Sequence, residues 1–336
     1  MTTHPFAGAE GHVMPGFVDI QVNGAYGHDF TTDPGSIWEV ARLLPRHGVT
    51  AFLPTVISSP VEVAEAALAV VAAGPPPGFA GAMPLGVHVE GPVISPRRRG
   101  THPAEALQEP SLQWAERLIA AGPPKMVTIA PELPGAEAVV RRLMEAGVVV
   151  AIGHSDATAE QAQAAFGWGL RHATHLFNAM SGLDHRAPGV AAAILADDRV
   201  TCGLIADGAH VADTMLRLAW RALGPTRIAL VTDAMAAAGL ADGEYRIGTV
   251  DVTVTDGVVR NRDGALAGSA ATLDRVVAVM RRATGCSLDD LAAMASATPS
   301  AIVGHHPGPG DAVLVDDDLA VVATAIGGEV VWERQA

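Results

Sequence analysis

The chain has 336 residues, 49% of them hydrophobic and 17% charged, with a formal net charge of −14. That balance suits a large buried core, excludes a disordered chain and disfavours a general nucleic-acid-binding surface. No apolar run reaches the ~18–20 residues that span a bilayer, no basic start followed by an apolar stretch opens the sequence, and two cysteines, Cys202 and Cys286, are too few for a disulfide framework. The expectation is a cytoplasmic protein with neither nucleic-acid nor membrane partners.

In chain order, eight short apolar runs read as strands: 17–22, 50–53, 85–89, 127–129, 148–152, 172–176, 201–206 and 227–231. Helical periodicity marks 36–47, 60–73, 111–121, 136–146, 158–168 and 211–223 between them. In 136–146, Val139, Val140, Leu143 and Met144 recur at helical spacing and Gly147 provides the stop. Ser111 and Thr158 are suited to be N-caps. Strands alternating with helices predict an α/β protein, a (β/α)8 TIM-like barrel. A doubly wound sheet gives the same periodicity and stays open as the alternative. After the eighth strand, residues 244–260 alternate apolar and polar, with Asp256-Gly257 as a hairpin turn. Residues 272–296 read as helical, and 311–333 return to strand around Gly327-Gly328, which predicts a small β appendage.

The chemistry of such a barrel sits where strands run into the following loops. Strand one leads into Gln21-Val22-Asn23, strand three into His88-Val89-Glu90, and strand five into Gly153-His154. Strand six carries His172 and His175, strand seven leads to Asp207 and His210, and strand eight ends in Thr232-Asp233. Taken singly, each of these suits a hydrogen-bonded structural residue or a helix cap. Together they converge on one mouth. One carboxylate and two imidazoles are a common donor set for a catalytic divalent metal, and a nearby aspartate suits proton transfer, so the joint reading is a metal hydrolase. Schiff-base chemistry is disfavoured because the one lysine, Lys125, precedes strand four at the opposite end. Cys202 and Cys286 read as small buried residues, and Phe177, Trp168 and Met180 as packing. There is no Gly-x-Ser-x-Gly elbow, and no phosphate-binding or dinucleotide glycine loop follows a strand. Arg97-Arg98-Arg99 and Arg186 are candidate anion ligands on an otherwise acidic protein, or simply solvated loops.

Several motifs resemble the N-acetylglucosamine-6-phosphate deacetylase family of the amidohydrolase superfamily. They are Met14-Pro15-Gly16-Phe17-Val18-Asp19, His88-Val89-Glu90-Gly91-Pro92, Gly100-Thr101-His102-Pro103, Gly153-His154-Ser155, His175-Leu176-Phe177-Asn178-Ala179-Met180, Ala206-Asp207-Gly208 with His210, Thr232-Asp233-Ala234 and Leu266-Ala267-Gly268-Ser269. The resemblance implies that Glu90, His154 and His175 hold the metal. It implies that Asp233 takes a proton from the attacking water and passes it to the leaving amine, and that His102 hydrogen-bonds the acetyl carbonyl. Asn178, Ala179, Arg186 and His210 match the positions that bind the sugar phosphate. A homodimer is implied, because in the family some phosphate contacts come from the neighbouring subunit. Gln21-x-Asn23 stands where many amidohydrolases have His-x-His. Amide oxygens are weaker ligands than imidazole, so one divalent ion per chain is expected, Zn2+ or Fe2+.

Relatives carry about fifty residues of strand before the Met-Pro-Gly-Phe motif, whereas thirteen residues precede Met14 here, and Pro5, Gly8 and Gly11 make them poor strand material. The expected organisation is a barrel of 14–239 plus 266–300, with a reduced β appendage of 1–13, 240–265 and 301–336; a truncated chain is the other reading of that start. Expected products are glucosamine 6-phosphate and acetate. The galactosamine epimer or a cyclic amide as substrate, a non-catalytic sugar-phosphate-binding barrel, and a structural scaffold remain alternatives.

Overall fold

Burial explains the strands. The first barrel strand, Phe17–Val22, and the second, Val49–Val56, are buried at every residue, as parallel strands covered on both faces must be. His88–Glu90, Met126–Ile129, Val149–Ile152, His172–Ala173, Thr201–Leu204 and Ile228–Leu230 follow. Each pairs in parallel with the strand before it. The ring closes between the first and last strands. Val22 bridges Ala234, the Asn23 N–H donates to the Ala234 carbonyl at 2.7 Å, and the Asp233 N–H donates to the Gln21 carbonyl at 3.0 Å. A strand order that follows the sequence and then closes excludes the doubly wound sheet, whose order reverses at a switch point. This computed structural model describes residues 5, 6 and 8–335.

Val18, Ile20, Ala51, Leu53, Met126 and Ala151 help fill the barrel interior. The outward strand faces pack against the helices Ile37–Leu43, Val61–Ala72, Leu112–Ala120, Ala136–Glu145, Ala159–Trp168, Val190–Ala196 and Asp213–Leu223. Ser111 and Thr158 cap as expected: the Trp114 N–H donates to the Ser111 hydroxyl, and Thr158 forms a reciprocal capping box with Gln161. Three local expectations differ. Residues 36–47 divide into Ile37–Leu43 and a 3-10 turn, Leu44–His47, because Pro45 has no N–H to continue the α ladder. Strand six stops at Ala173 rather than Leu176, because His175 takes a positive φ of 28°. Val190–Ala196 gives no helical signal in the sequence, since VAAAILA is apolar throughout and carries no amphipathic period. No helix among the described residues is long and apolar enough to cross a membrane.

Among the described residues, two antiparallel sheets of three or more strands lie outside the barrel, besides the short pair Gly24–Ala25 and His28–Asp29. One has the strand order His12–Pro15, Ala312–Val315, Val321–Ile326, Glu329–Glu333. His12 and Val13 pair with Val315 and Leu314, although the stretch before Met14 has the composition of poor strand material, because Ala312–Val315 offers an edge to complete. The other consists of Gly243–Ile247, Val250–Thr255 and Val258–Asn261. Its Asp256-Gly257 turn has φ of 51° and 73°, as a type I′ hairpin requires. Its inner face, Ile247, Val252, Val254 and Val259, forms one cluster with Ile57 and Met235–Ala237, which fixes it over the mouth of the barrel.

Candidate active site

Backbone bends aim the functional side chains inward. Of the eight non-glycine residues with positive φ among those described, five are His154 (48°), His175 (28°), Phe177 (77°), Ala179 (47°) and Asp233 (51°). Left-handed backbone at non-glycine residues persists only where the surroundings hold it, and it gathers at functional sites. Strand one uses another device. Its pairing register shifts between Asp19 and Val22, so that Val18 and Ile20 face the barrel interior while Gln21 and Asn23, of opposite parity, both reach the mouth.

Glu90, His154 and His175 meet there, all buried, with their ligand atoms within 4.8 Å of one another. Glu90 Oε1 is 3.3 Å from His154 Nε2 and 3.0 Å from His175 Nε2, and the two Nε2 atoms are 3.0 Å apart. The Arg98 carbonyl, 2.9 Å from His154 Nδ1, can only accept, so Nδ1 carries the proton and Nε2 presents its lone pair. Two imidazoles and a carboxylate converging on one buried point fit a divalent cation. Burial alone would raise the Glu90 carboxyl, but the His154 and His175 imidazoles set against it hold it well below the usual carboxylate range.

Asp233 lies beside this triad. Its Oδ1 accepts from Gln21 Nε2 at 3.0 Å and from Asn23 Nδ2 at 2.8 Å, while Gln21 Nε2 is also 3.0 Å from Glu90 Oε1. Both amides thus turn their nitrogens, which have no lone pair for a metal, toward the carboxylates. Burial, and then the charge of Glu90, push the Asp233 carboxyl up to about 6. Opposite, the Ser58 N–H donates to His102 Nδ1 at 3.2 Å. His102 therefore carries its proton on Nε2, which is 3.8 Å from Glu90 Oε2, and burial followed by the neighbouring His154 holds the ring neutral. This leaves a hydrogen-bond donor facing the mouth.

A cavity of about 340 Å³ connects these groups with Asn178, Ala179 and His210. His210 Nδ1 is 2.7 Å from Asp207 Oδ2, which leaves Nε2 toward the cavity. Arg97 and Arg98 also line it, tied to Asp156 at 3.4 and 2.7 Å. Arg186 is exposed on the 181–188 loop and does not line the cavity of its own chain. Phe177, Trp168 and Met180 pack against the core, and Cys202 and Cys286 are free and buried, with burial pushing the Cys202 thiol up to about 12.

The amidohydrolase family model matches residues 12–331. The chain belongs to the amidohydrolase family, among the N-acetylglucosamine-6-phosphate deacetylases. It is 40% identical over 351 residues to the human protein of that name, covering 96% of this chain and 84% of the human one. It is 38% identical over 295 residues to an N-acetylgalactosamine-6-phosphate deacetylase of Escherichia coli O157:H7, covering 87% of this chain and 78% of that one. A mutant N-acetyl-D-glucosamine-6-phosphate deacetylase from Mycobacterium smegmatis, in complex with N-acetyl-D-glucosamine-6-phosphate, superposes with a TM-score of 0.88 at 36% identity, covering 95% of this chain and 86% of that one.

Sequence reasoning misses the partners that orient this deacetylase site. Ser58 fixes the His102 tautomer, the Arg98 carbonyl fixes that of His154, and Glu132 accepts from Ser155 Oγ at 2.7 Å and from the Asp156 N–H at 2.6 Å in the loop after His154. A backbone carbonyl carries no sequence signal. Glu132 lies three residues past the end of strand four and could have been flagged by its place in the loop that follows a strand. Ile57, Ile247 and Leu266 also line the cavity, and of these Ile247 comes from the hairpin sheet that the sequence assigns to the appendage.

Proposed function

We infer that this chain hydrolyses the acetamide of N-acetylglucosamine 6-phosphate, giving glucosamine 6-phosphate and acetate. The observation that carries this is the meeting of Glu90, His154 and His175 with Asp233 and His102 in one buried mouth, in a chain 40% identical to a protein named for that activity. Glu90, His154 and His175 would hold one divalent cation, zinc or ferrous iron, either of which suits a set of two imidazoles and one carboxylate. One ion per chain is supported by Gln21 and Asn23, whose amide nitrogens are occupied with carboxylates. When bound, such a cation lowers the pKa of a water molecule and polarises a carbonyl.

The chain's own residues do the rest. Asp233, with Oδ1 held by Gln21 and Asn23, keeps Oδ2 for the proton of the attacking water and then delivers it to the leaving nitrogen. His102 donates from Nε2 to the carbonyl oxygen as negative charge develops there. Asn178, Ala179 and His210 take the sugar, and Arg186, exposed and outside its own cavity, serves the phosphate of a partner subunit in a homodimer. We assign this chemistry to the barrel, 14–239 plus 266–300, and the two larger separate sheets mainly to the segments outside it. Two free, buried cysteines support a cytoplasmic setting.

A second reading, N-acetylgalactosamine 6-phosphate as substrate, is favoured by the Escherichia coli relative. Parallel kcat/KM measurements on both sugar phosphates test the choice. A higher value for the glucosamine epimer supports the first reading, and a higher value for the galactosamine epimer replaces it. Metal analysis of the same preparation should give one ion per chain, and two tightly held ions would contradict the ligand assignment.

A further inference from the structure

The cavity wall is polar except on one side. Among the residues that line it, the large apolar side chains are Ile57, Ile247 and Leu266. Ile57 and Ile247 are each 3% exposed and belong to the cluster that docks the hairpin sheet onto the barrel. The docking is specific. Asp29 Oδ2 accepts the Gly248 N–H at 2.8 Å, pinning the turn just after Ile247. A Cβ built on Gly248 would lie 3.1 Å from Ile57 Cδ1, and one built on Gly268 would lie 3.2 Å from both Ile247 Cδ1 and the Asp233 carbonyl oxygen. The glycines at 248 and 268 thus let the wall close tightly, and both have positive φ.

This wall is joined to the two groups that act on the scissile carbonyl. Ile57 precedes Ser58, whose N–H orients His102. Leu266 leads into Ser269, whose N–H donates to the Asp233 carbonyl at 2.9 Å. Asn178 and Ala179 follow strand six, four strands around the barrel from the strand-two loop that carries Ile57, and therefore stand across the mouth. With the carbonyl between His102 and Asp233 and the sugar on the polar side, the carbonyl's other substituent, the acyl methyl, is directed at the apolar wall.

We propose that Ile57, Ile247 and Leu266 form an acyl-selecting wall, and that the 243–261 hairpin sheet thereby sets which N-acyl amino-sugar phosphates are hydrolysed. The proposal rests on the deacetylase reading above. Its test compares kcat/KM for N-acetyl- and N-propionylglucosamine 6-phosphate in the metal-reconstituted full chain and in Ile247→Ala, Ile247→Val and Leu266→Ala. One methylene against a closed apolar pocket changes kcat/KM by roughly 10–200-fold. The wild type should favour acetyl by about tenfold or more. Ile247→Ala and Leu266→Ala should each raise the propionyl-to-acetyl ratio about tenfold, and Ile247→Val should raise it less. The ratio does not depend on the folded fraction, so partial loss of stability does not obscure it, and Ile247→Val keeps most of the packing. Equal use of both substrates by the wild type, or ratios within about twofold of wild type in all three variants, would overturn the proposal. Absence of acetate release from the wild type is a different result, and it would instead remove the deacetylase reading.

Discussion

Asp233 and His102 are neighbours of the same carboxylate, yet their surroundings prepare them for opposite tasks. Burial and Glu90 raise the Asp233 carboxyl, whereas burial and His154 keep the His102 ring neutral with its proton on Nε2. A side chain proposed to accept a proton and one proposed to donate a hydrogen bond are thus tuned by environment as well as by residue type. Asp233→Asn keeps the shape and removes the base. Its turnover should fall by ~10²-fold or more, measured as acetate release from metal-loaded protein, and retention above about a tenth would remove Asp233 from proton transfer. His172 allows a stability prediction. Burial, with the charges of His88 and His175, lowers its pKa to about 3, against 6.5 without these effects. The unfolded chain therefore binds the extra proton first, so His172 leaves stability intact above pH ~6.5 and erodes it as pH falls toward 3, by about 1.4 kcal/mol per unit at most. In metal-free protein, His172→Asn should flatten the decline of stability between pH 6.5 and 4. An unchanged slope in denaturant titrations would contradict the assignment.

The loops, more than the strands, decide how well the proposed metal ligands are held. The segment after Glu90 and the segment after His154 clamp each other. The Ser95 N–H donates to the His154 carbonyl at 2.9 Å, His154 Nδ1 donates to the Arg98 carbonyl, and Arg98 returns to Asp156 at 2.7 Å. Glu132 anchors the far side of the clamp through Ser155 and Asp156. Outer partners of metal ligands typically contribute 10–100-fold to affinity. Glu132→Ala should therefore weaken metal binding about tenfold in chelator competition while the barrel stays folded, and unchanged affinity would make Glu132 merely structural. This is also the level at which the sequence is least legible. Glu90, His154, His175 and Asp233 can be located because a strand end is a place that periodicity can find. Much of the clamp cannot, because the links of His154 to Ser95 and Arg98 run through backbone carbonyls and N–H groups, and only its side-chain members, such as Glu132, leave a mark in the sequence. Strand six reads too long in the sequence for a related reason: the bend at His175 is imposed by the site and not by propensity. Val190–Ala196 escapes notice because its sequence lacks a polar face.

At the scale of the whole molecule, the barrel is legible from the alternation of apolar runs and amphipathic stretches, whereas the role of the outlying sheets is not. Alternation in 243–261 announces strands, but only the packing of Ile247 against Ile57 and Met235 shows that this sheet closes the mouth. The N-terminal strand His12–Pro15 is hidden because it is specified by its partner, Ala312–Val315, some three hundred residues away in sequence. Arg186 raises the same issue between subunits: it is exposed in the single chain, and its proposed task lies on the partner. If so, the inactive variants Asp233→Asn and Arg186→Ala should regain measurable acetate release when mixed and reassociated, since one mouth in a mixed dimer then has both groups intact. No recovery from a mixture shown to exchange subunits would place the phosphate contact elsewhere.

The central claim is that Glu90, His154 and His175 hold a cation that, with Asp233 and His102, cleaves the acetamide of an amino-sugar phosphate. It is tested most directly by acetate release from N-acetylglucosamine 6-phosphate, with the purified protein metal-loaded in one arm and chelator-stripped in the other. The account predicts stoichiometric acetate and glucosamine 6-phosphate in the loaded arm, loss of both on stripping, and recovery when zinc or ferrous iron is returned. Folded, metal-loaded protein that releases no acetate, or stripped protein that releases it at an undiminished rate, would contradict the account.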